Sequence, residues 1–176
     1  KDFARKQIDL EGGRENCQLP FTDSMDQLGP YKGKGNNNEW GEKYVDILKR
    51  IMSSDQSVIT SEYDRGCHLE YPGGVSAHSY SDAEEFWMGL RSSMPSAKFS
   101  IEHQIGREDK HMSPRAAVRW NLKGKHDGRG IFGEPTGAEL YVMGVSHAEF
   151  GPWGLRREYT LFDETSLWKQ IIIKTG

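Results

Sequence analysis

The stretch RAAVRWNLKGKHDGRGIFGEPTGAELYVMGVSHAEF, residues 115–150, carries Gly128, Gly130 and Gly133 at the G-x-G-x-x-G spacing of a dinucleotide-binding loop. That fingerprint requires a strand before the glycines and a helix after them, because the pyrophosphate rests on the helix N-terminus. A strand pattern precedes the glycines, but Pro135-Thr136-Gly137 is a turn signal that leads into a second β pattern. The stretch therefore reads as two long strands joined by a glycine-rich connection, with no nucleotide site.

Further strand patterns flank it: KFSIEHQI at 98–105, and the closing GLRREYTLFDETSLWKQIII at 154–173, which reads as the last strand. CHLEY at 67–71 is a shorter strand closed by Pro72-Gly73-Gly74. Two helical patterns come first. In residues 38–54 Trp40, Tyr44, Ile47, Leu48 and Ile51 recur at helical spacing behind Asn38 as N-cap. In residues 81–94 Phe86, Trp87 and Leu90 form the apolar stripe, and Pro95 ends the helix. Helices followed by strands predict an α+β fold with helices packed on one face of a curved antiparallel sheet. Residues 1–38, rich in Gly, Pro, Asn and charge, read as an extended arm, and 39–176 as the domain.

Composition narrows the function. The chain of 176 residues has a formal charge of −3 with Lys and Arg dispersed among Asp and Glu, which argues against nucleic acid as a partner. No run approaches the ~20 apolar residues of a membrane span. Cys17 and Cys67 match neither a C-x-x-C site nor a disulfide framework, so a reduced, cytoplasmic setting is expected.

Strand alternation sorts the titratable groups by face. His126 ends the face of Val118, Trp120 and Leu122; His103 falls with Phe99, Ile101 and Ile105 and reads as a hydrogen-bonded core residue. His147 and Glu149 fall with Tyr141, Met143 and Val145. For His126 and the His147/Glu149 pair both a catalytic and a structural role are open, because titratable groups among apolar walls are where perturbed pKa values arise. Glu158 could point inward with Phe162 and ranks behind Glu149. His147 and Glu149 supply two ligands where a zinc site needs three or four, so no metal is expected. Tyr71, Phe86, Trp87 and Trp120 are either core or the lining of a cavity.

Together, FWMGLRSSMPSAKFSIEHQIGRED, AAVRWNLKGKHDGRGIFGEPTGAEL and RREYTLFDETSLWKQI resemble the SnoaL-like polyketide cyclases of the NTF2-like superfamily. The resemblance spans roughly residues 39 to 173. It implies a cone in which N-terminal helices pack on a strongly curved antiparallel sheet around a pocket, a homodimer, and no metal or redox cofactor. It also implies an aldol-type ring closure on a hydrophobic, carbonyl-bearing molecule, begun by a carboxylate that removes a C–H proton. His126 matches the family's loop histidine and takes the polarising role. The strand after Pro-Thr-Gly offers Glu139 where the family carries Asp, so the base falls to Glu149 or Glu139, with His147 assisting. Tyr71, Phe86, Trp87, Trp120, Phe132 and Tyr141 would line the pocket. The alternative is a non-catalytic binding or dimeric assembly module of the same fold.

Overall fold

The computed structural model describes residues 1–19 and 29–176. Part of the expected arm, residues 20–28, lies outside the described residues. Elsewhere in the arm Asp2–Leu10 form a helix, α1, whose Ala4 and Ile8 pack with Cys17 against Ile172 near the C-terminus. Ala and Ile four residues apart give α1 one apolar turn-to-turn stripe, too short to register as a sustained period along the arm.

Asn38 caps α2, Glu39–Met52, by accepting from the Trp40 amide, and the stripe Tyr44, Ile47, Leu48 and Ile51 is buried. A one-turn helix α3, Val58–Glu62, leads into β1, Tyr63–Tyr71, and a short β2, Val75–Ala77. Next comes α4, Tyr80–Ser93, which begins at a reciprocal cap between Ser79 and Asp82 and buries Ala83, Trp87 and Leu90. Three long strands follow: β3, Lys98–Arg107; β4, Arg115–Lys125; and β5, Glu139–Gly151. The hairpin Gly151–Gly154 returns the chain as β6, Gly154–Leu161.

The sheet runs β2-β1-β6-β5-β4-β3, with α2 and α4 over its inner face. It is mixed, not wholly antiparallel: β1 and β6 are parallel, with Leu69 paired to Glu158. Register shifts in β3 and between β5 and β6 interrupt the regular pairing and bend the sheet. Residues 164–175 depart from the strand expected there and form α5, Glu164–Thr175. Asp163 caps it by accepting from the Ser166 amide, and Leu167, Gln170 and Ile171 recur at i, i+3 and i+4 on its buried side. No helix among the described residues is long and apolar enough to cross a membrane.

The glycine loop docks on the last turn of α4. The Gly128 amide donates to the Ser93 carbonyl at 3.2 Å and Ile131 to that of Gly89 at 3.2 Å. A Cβ on either Gly128 or Gly130 would run into the backbone of that turn. The loop thus covers the carbonyl end of a helix, which carries negative partial charge and repels phosphate.

Candidate functional site

Burial along β5 alternates, with Leu140, Val142, Gly144, Ser146, Ala148 and Phe150 inside. The other face, Tyr141, Met143, Val145, His147 and Glu149, which looked equally apolar in the sequence, is the outer one. The inner face holds the small residues because rings and helices press on it. Glu139 is exposed, Glu149 faces Arg157 at 3.8 Å, and the His147 ring lies 5.8 Å from that of Tyr159. None of the three faces the core, and neither does Tyr141, whose amide is instead held by the Gln170 side chain at 2.8 Å. His103 is partly exposed and bonds the Tyr31 hydroxyl at 2.9 Å.

Glu158 is the carboxylate that points inward. Between β5 and β6 the pairing steps from Glu149↔Arg157 to Phe150↔Leu155, leaving Arg156 as an extra residue. This bulge lets Arg156 and Arg157 both face solvent while Leu155 and Glu158 both face the core. Glu158 is wholly buried. Its Oε2 accepts from the Tyr44 hydroxyl at 3.0 Å and the Tyr63 hydroxyl at 2.6 Å. Its Oε1 accepts from the Tyr71 hydroxyl at 2.9 Å and the Trp87 indole N–H at 2.9 Å. Helix α2, both ends of β1 and helix α4 each supply a donor, so the site exists only when helices and sheet are assembled.

Aromatic rings pack around this carboxylate. Tyr71 stacks on Phe86 with centroids 3.8 Å apart, Trp87 lies 6.0 Å from Trp120, and Phe162 approaches both Phe86 and Trp120. The polar chain continues along the sheet: Trp120 donates to Ser146 Oγ at 2.9 Å, and Ser146 and Thr160 share a hydrogen bond at 2.8 Å. Thus Tyr71, Phe86, Trp87 and Trp120 are gathered around Glu158.

Burial raises the Glu158 carboxyl above the usual glutamate range, and the four donors pull against that shift. Burial and the nearby carboxylate charge together hold Tyr44, Tyr63 and Tyr71 well above the ordinary phenol value. The Cys67 thiol, buried beside them, is pushed up to about 11 by burial first and Glu158 second.

His126 forms a separate centre. It is buried on the inner face, as alternation places it, and Nδ1 bonds Thr136 Oγ1 at 3.0 Å. The Pro135-Thr136-Gly137 turn folds back on it, with the amides of Thr136 and Gly137 donating to the His126 carbonyl at 3.1 and 2.9 Å. Phe132 stands edge-on to the imidazole at 6.0 Å, and Trp168 of α5 edge-on to Phe132. Burial lowers the imidazole below its ordinary value, so it stays neutral at pH 7. Across the sheet from Glu158 stand Ala148 and then Ala116. His126 lies ten residues further along from Ala116, on the order of 30 Å of extended chain. His126 and Phe132 therefore belong to the far end of the cone.

Among the described residues, no group of three or more His, Cys, Asp or Glu is placed to hold a metal ion.

Compared with known proteins, the chain matches no family model and no curated protein. Solved structures do match. AclR from Streptomyces galilaeus, a proposed hydroxylase, superposes with a TM-score of 0.63 at 16% identity over 76% of this chain and 95% of its own. A proposed SnoaL-like polyketide cyclase from Jannaschia sp. CCS1 gives 0.61 at 14% identity over 77% and 96%. The chain has the SnoaL-like fold. IdmH from Streptomyces antibioticus, a proposed polyketide cyclase, has it too, with a TM-score of 0.59 at 12% identity over 76% of this chain and 99% of its own. Within the SnoaL-like cone of this chain, the inward carboxylate comes from β6 and its donors from α2, β1 and α4.

Proposed function

We propose that the cone binds a small, largely apolar molecule bearing a carbonyl group and that Glu158 moves a proton on it without a cofactor. The chemistry is that of an aldol-type ring closure or a related isomerisation or hydrolysis. The observation that carries this reading is a fully buried carboxylate, raised in pKa, among three phenol hydroxyls and an indole N–H. A carboxylate so placed has gained basicity from burial, and neutral donors beside it can hold an enolate oxygen. The base role expected of Glu149 or Glu139 passes to Glu158 because those two face outward. Tyr71, Phe86, Trp87 and Trp120 contact the bound molecule, and His126 orders the far rim. Solved proteins of this fold that carry the name polyketide cyclase lend support to the class of reaction.

The test is exchange of α-protons for deuterium in hydrophobic β-ketoesters in D2O, followed by mass spectrometry. The wild type should accelerate exchange, and Glu158→Gln should lower it by about 10²-fold or more. Equal rates from both proteins would remove Glu158 from the reaction.

A second reading, a dimeric assembly module, is favoured by the outer face of the sheet. Val145 and Leu161, paired across β5 and β6, are 49% and 66% exposed, and Met143 and Tyr159 stand on the same face. A second copy covering this face would bury these side chains. The wild type should run as a dimer in light-scattering chromatography and Val145→Asp with Leu161→Asp as a monomer. A monomeric wild type at micromolar concentration refutes the assembly.

A further inference from the structure

Glu158 as it stands has no free lone pair. An ionised carboxylate offers about four acceptor positions on its two oxygens. Tyr44 and Tyr63 occupy those of Oε2, and Tyr71 and Trp87 those of Oε1. A base needs one position vacant, so the proton-transfer reading, on which this inference rests, requires one donor to leave.

The four donors differ in how they are held. The Trp87 indole is fully buried, edge-on to Tyr71 and Phe86 and tilted against Trp120. Turning its N–H away would drive a bicyclic ring through packed core. Tyr44 is fixed on α2, with its ring edge-on to Phe150. Tyr63 makes the shortest of the four bonds, and its carbonyl is capped by the Tyr80 hydroxyl. Tyr71 is different. It is the last residue of β1, beside the Pro72-Gly73-Gly74 turn, and its ring lies flat on Phe86, which is only partly buried.

We infer that Tyr71 is the displaceable donor: as Phe86 moves aside for the substrate, the Tyr71 hydroxyl leaves Glu158 Oε1 and donates to the substrate's carbonyl oxygen. One movement then vacates the base and supplies the group that holds the enolate. In the step that follows, the α C–H bond breaks and its proton bonds to Oε1. The electron pair moves through the new C=C bond onto the carbonyl oxygen, which accepts the Tyr71 hydrogen bond. Glu158 returns the proton when the product forms, so no oxidant or co-reactant is consumed.

Tetranitromethane, which attacks the phenolate, tests the release without a substrate. A tyrosine held against the Glu158 charge resists ionisation, so nitration reports the fraction released. In the native protein, peptide mapping should find Tyr71 nitrated about tenfold or more faster than Tyr44 and Tyr63, because local opening is commoner than global unfolding. Phe86→Ala should speed Tyr71 alone. One common rate for all three, or a lead by Tyr44 or Tyr63, overturns the inference. With any β-ketoester that the protein exchanges, Tyr71→Phe should lower kcat by about 10²-fold while KM stays within about threefold. An unchanged kcat also overturns it. Selective nitration in a wild type that exchanges nothing keeps the release of Tyr71 and removes the proton-transfer reading. Exchange that depends on Glu158 without selective nitration does the reverse.

Discussion

Replacing Glu158 with leucine should destabilise the fold by roughly 3–5 kcal/mol in urea unfolding, the scale of a buried polar pairing broken from one side. Two effects oppose each other. Leucine removes the cost of burying a charge, but it strands the hydroxyls of Tyr44, Tyr63 and Tyr71 and the Trp87 N–H in the core. Each stranded donor costs about 1–3 kcal/mol, so four of them outweigh the relieved charge. The gap between wild type and variant should also depend on pH. The folded carboxyl binds its proton more tightly than the ordinary 4.5 of the unfolded chain. Wild-type stability from this group is therefore fully present below 4.5 and falls as pH rises through the raised value. Leucine lacks that slope, so the destabilisation should be largest at acid pH. A variant as stable as the wild type would mean that the tyrosines find other partners.

Gly144→Val should cost about 3 kcal/mol or more by overpacking. Gly144 pairs with Trp120 across β4 and β5, and a Cβ at Gly144 would overlap the indole ring. The ring lies over the glycine and reaches Ser146 with its N–H at 2.9 Å. A valine would expel Trp120 from its place beside Trp87 and break that hydrogen bond. Trp120→Leu in the same chain should recover part of the loss, because the two positions share one volume. A Gly144→Val protein within about 0.5 kcal/mol of the wild type would show that the sheet relaxes around the new side chain.

The class of fold was legible because it rests on local signals. The Asn38 cap and the Tyr44, Ile47, Leu48 and Ile51 stripe give α2, and the Pro135-Thr136-Gly137 turn returns the chain into β5. His126 on the inner face followed from simple counting along β4, which carries no bulge toward β5. In residues 164–175 the run Ile171-Ile172-Ile173 has strand propensity, while the Asp163 cap and the docking of Gln170 on Tyr141 select a helix.

The site was less legible. Both faces of β5 are apolar enough to be core, so hydrophobicity placed His147 and Glu149 inside, and the bulk of Trp120 over Gly144 decided otherwise. Glu158 stands beside two arginines in a segment that reads as a charged surface strand. One signal was present: Glu158, Thr160 and Phe162 share a parity. The bulge at Arg156 that also turns Leu155 inward is a property of the β5–β6 pairing, invisible in either strand alone.

The sequence by itself determined the helices that start at Asn38 and near Ser79, the long strands and the absence of a nucleotide loop, since each depends on neighbours in the chain. Tertiary structure alone decided which carboxylate is buried and what surrounds it. Tyr44, Tyr63, Tyr71 and Trp87 come from four different places in the chain, and they meet at Glu158 only because curvature and one extra residue in β6 bring their polar atoms within hydrogen-bond reach.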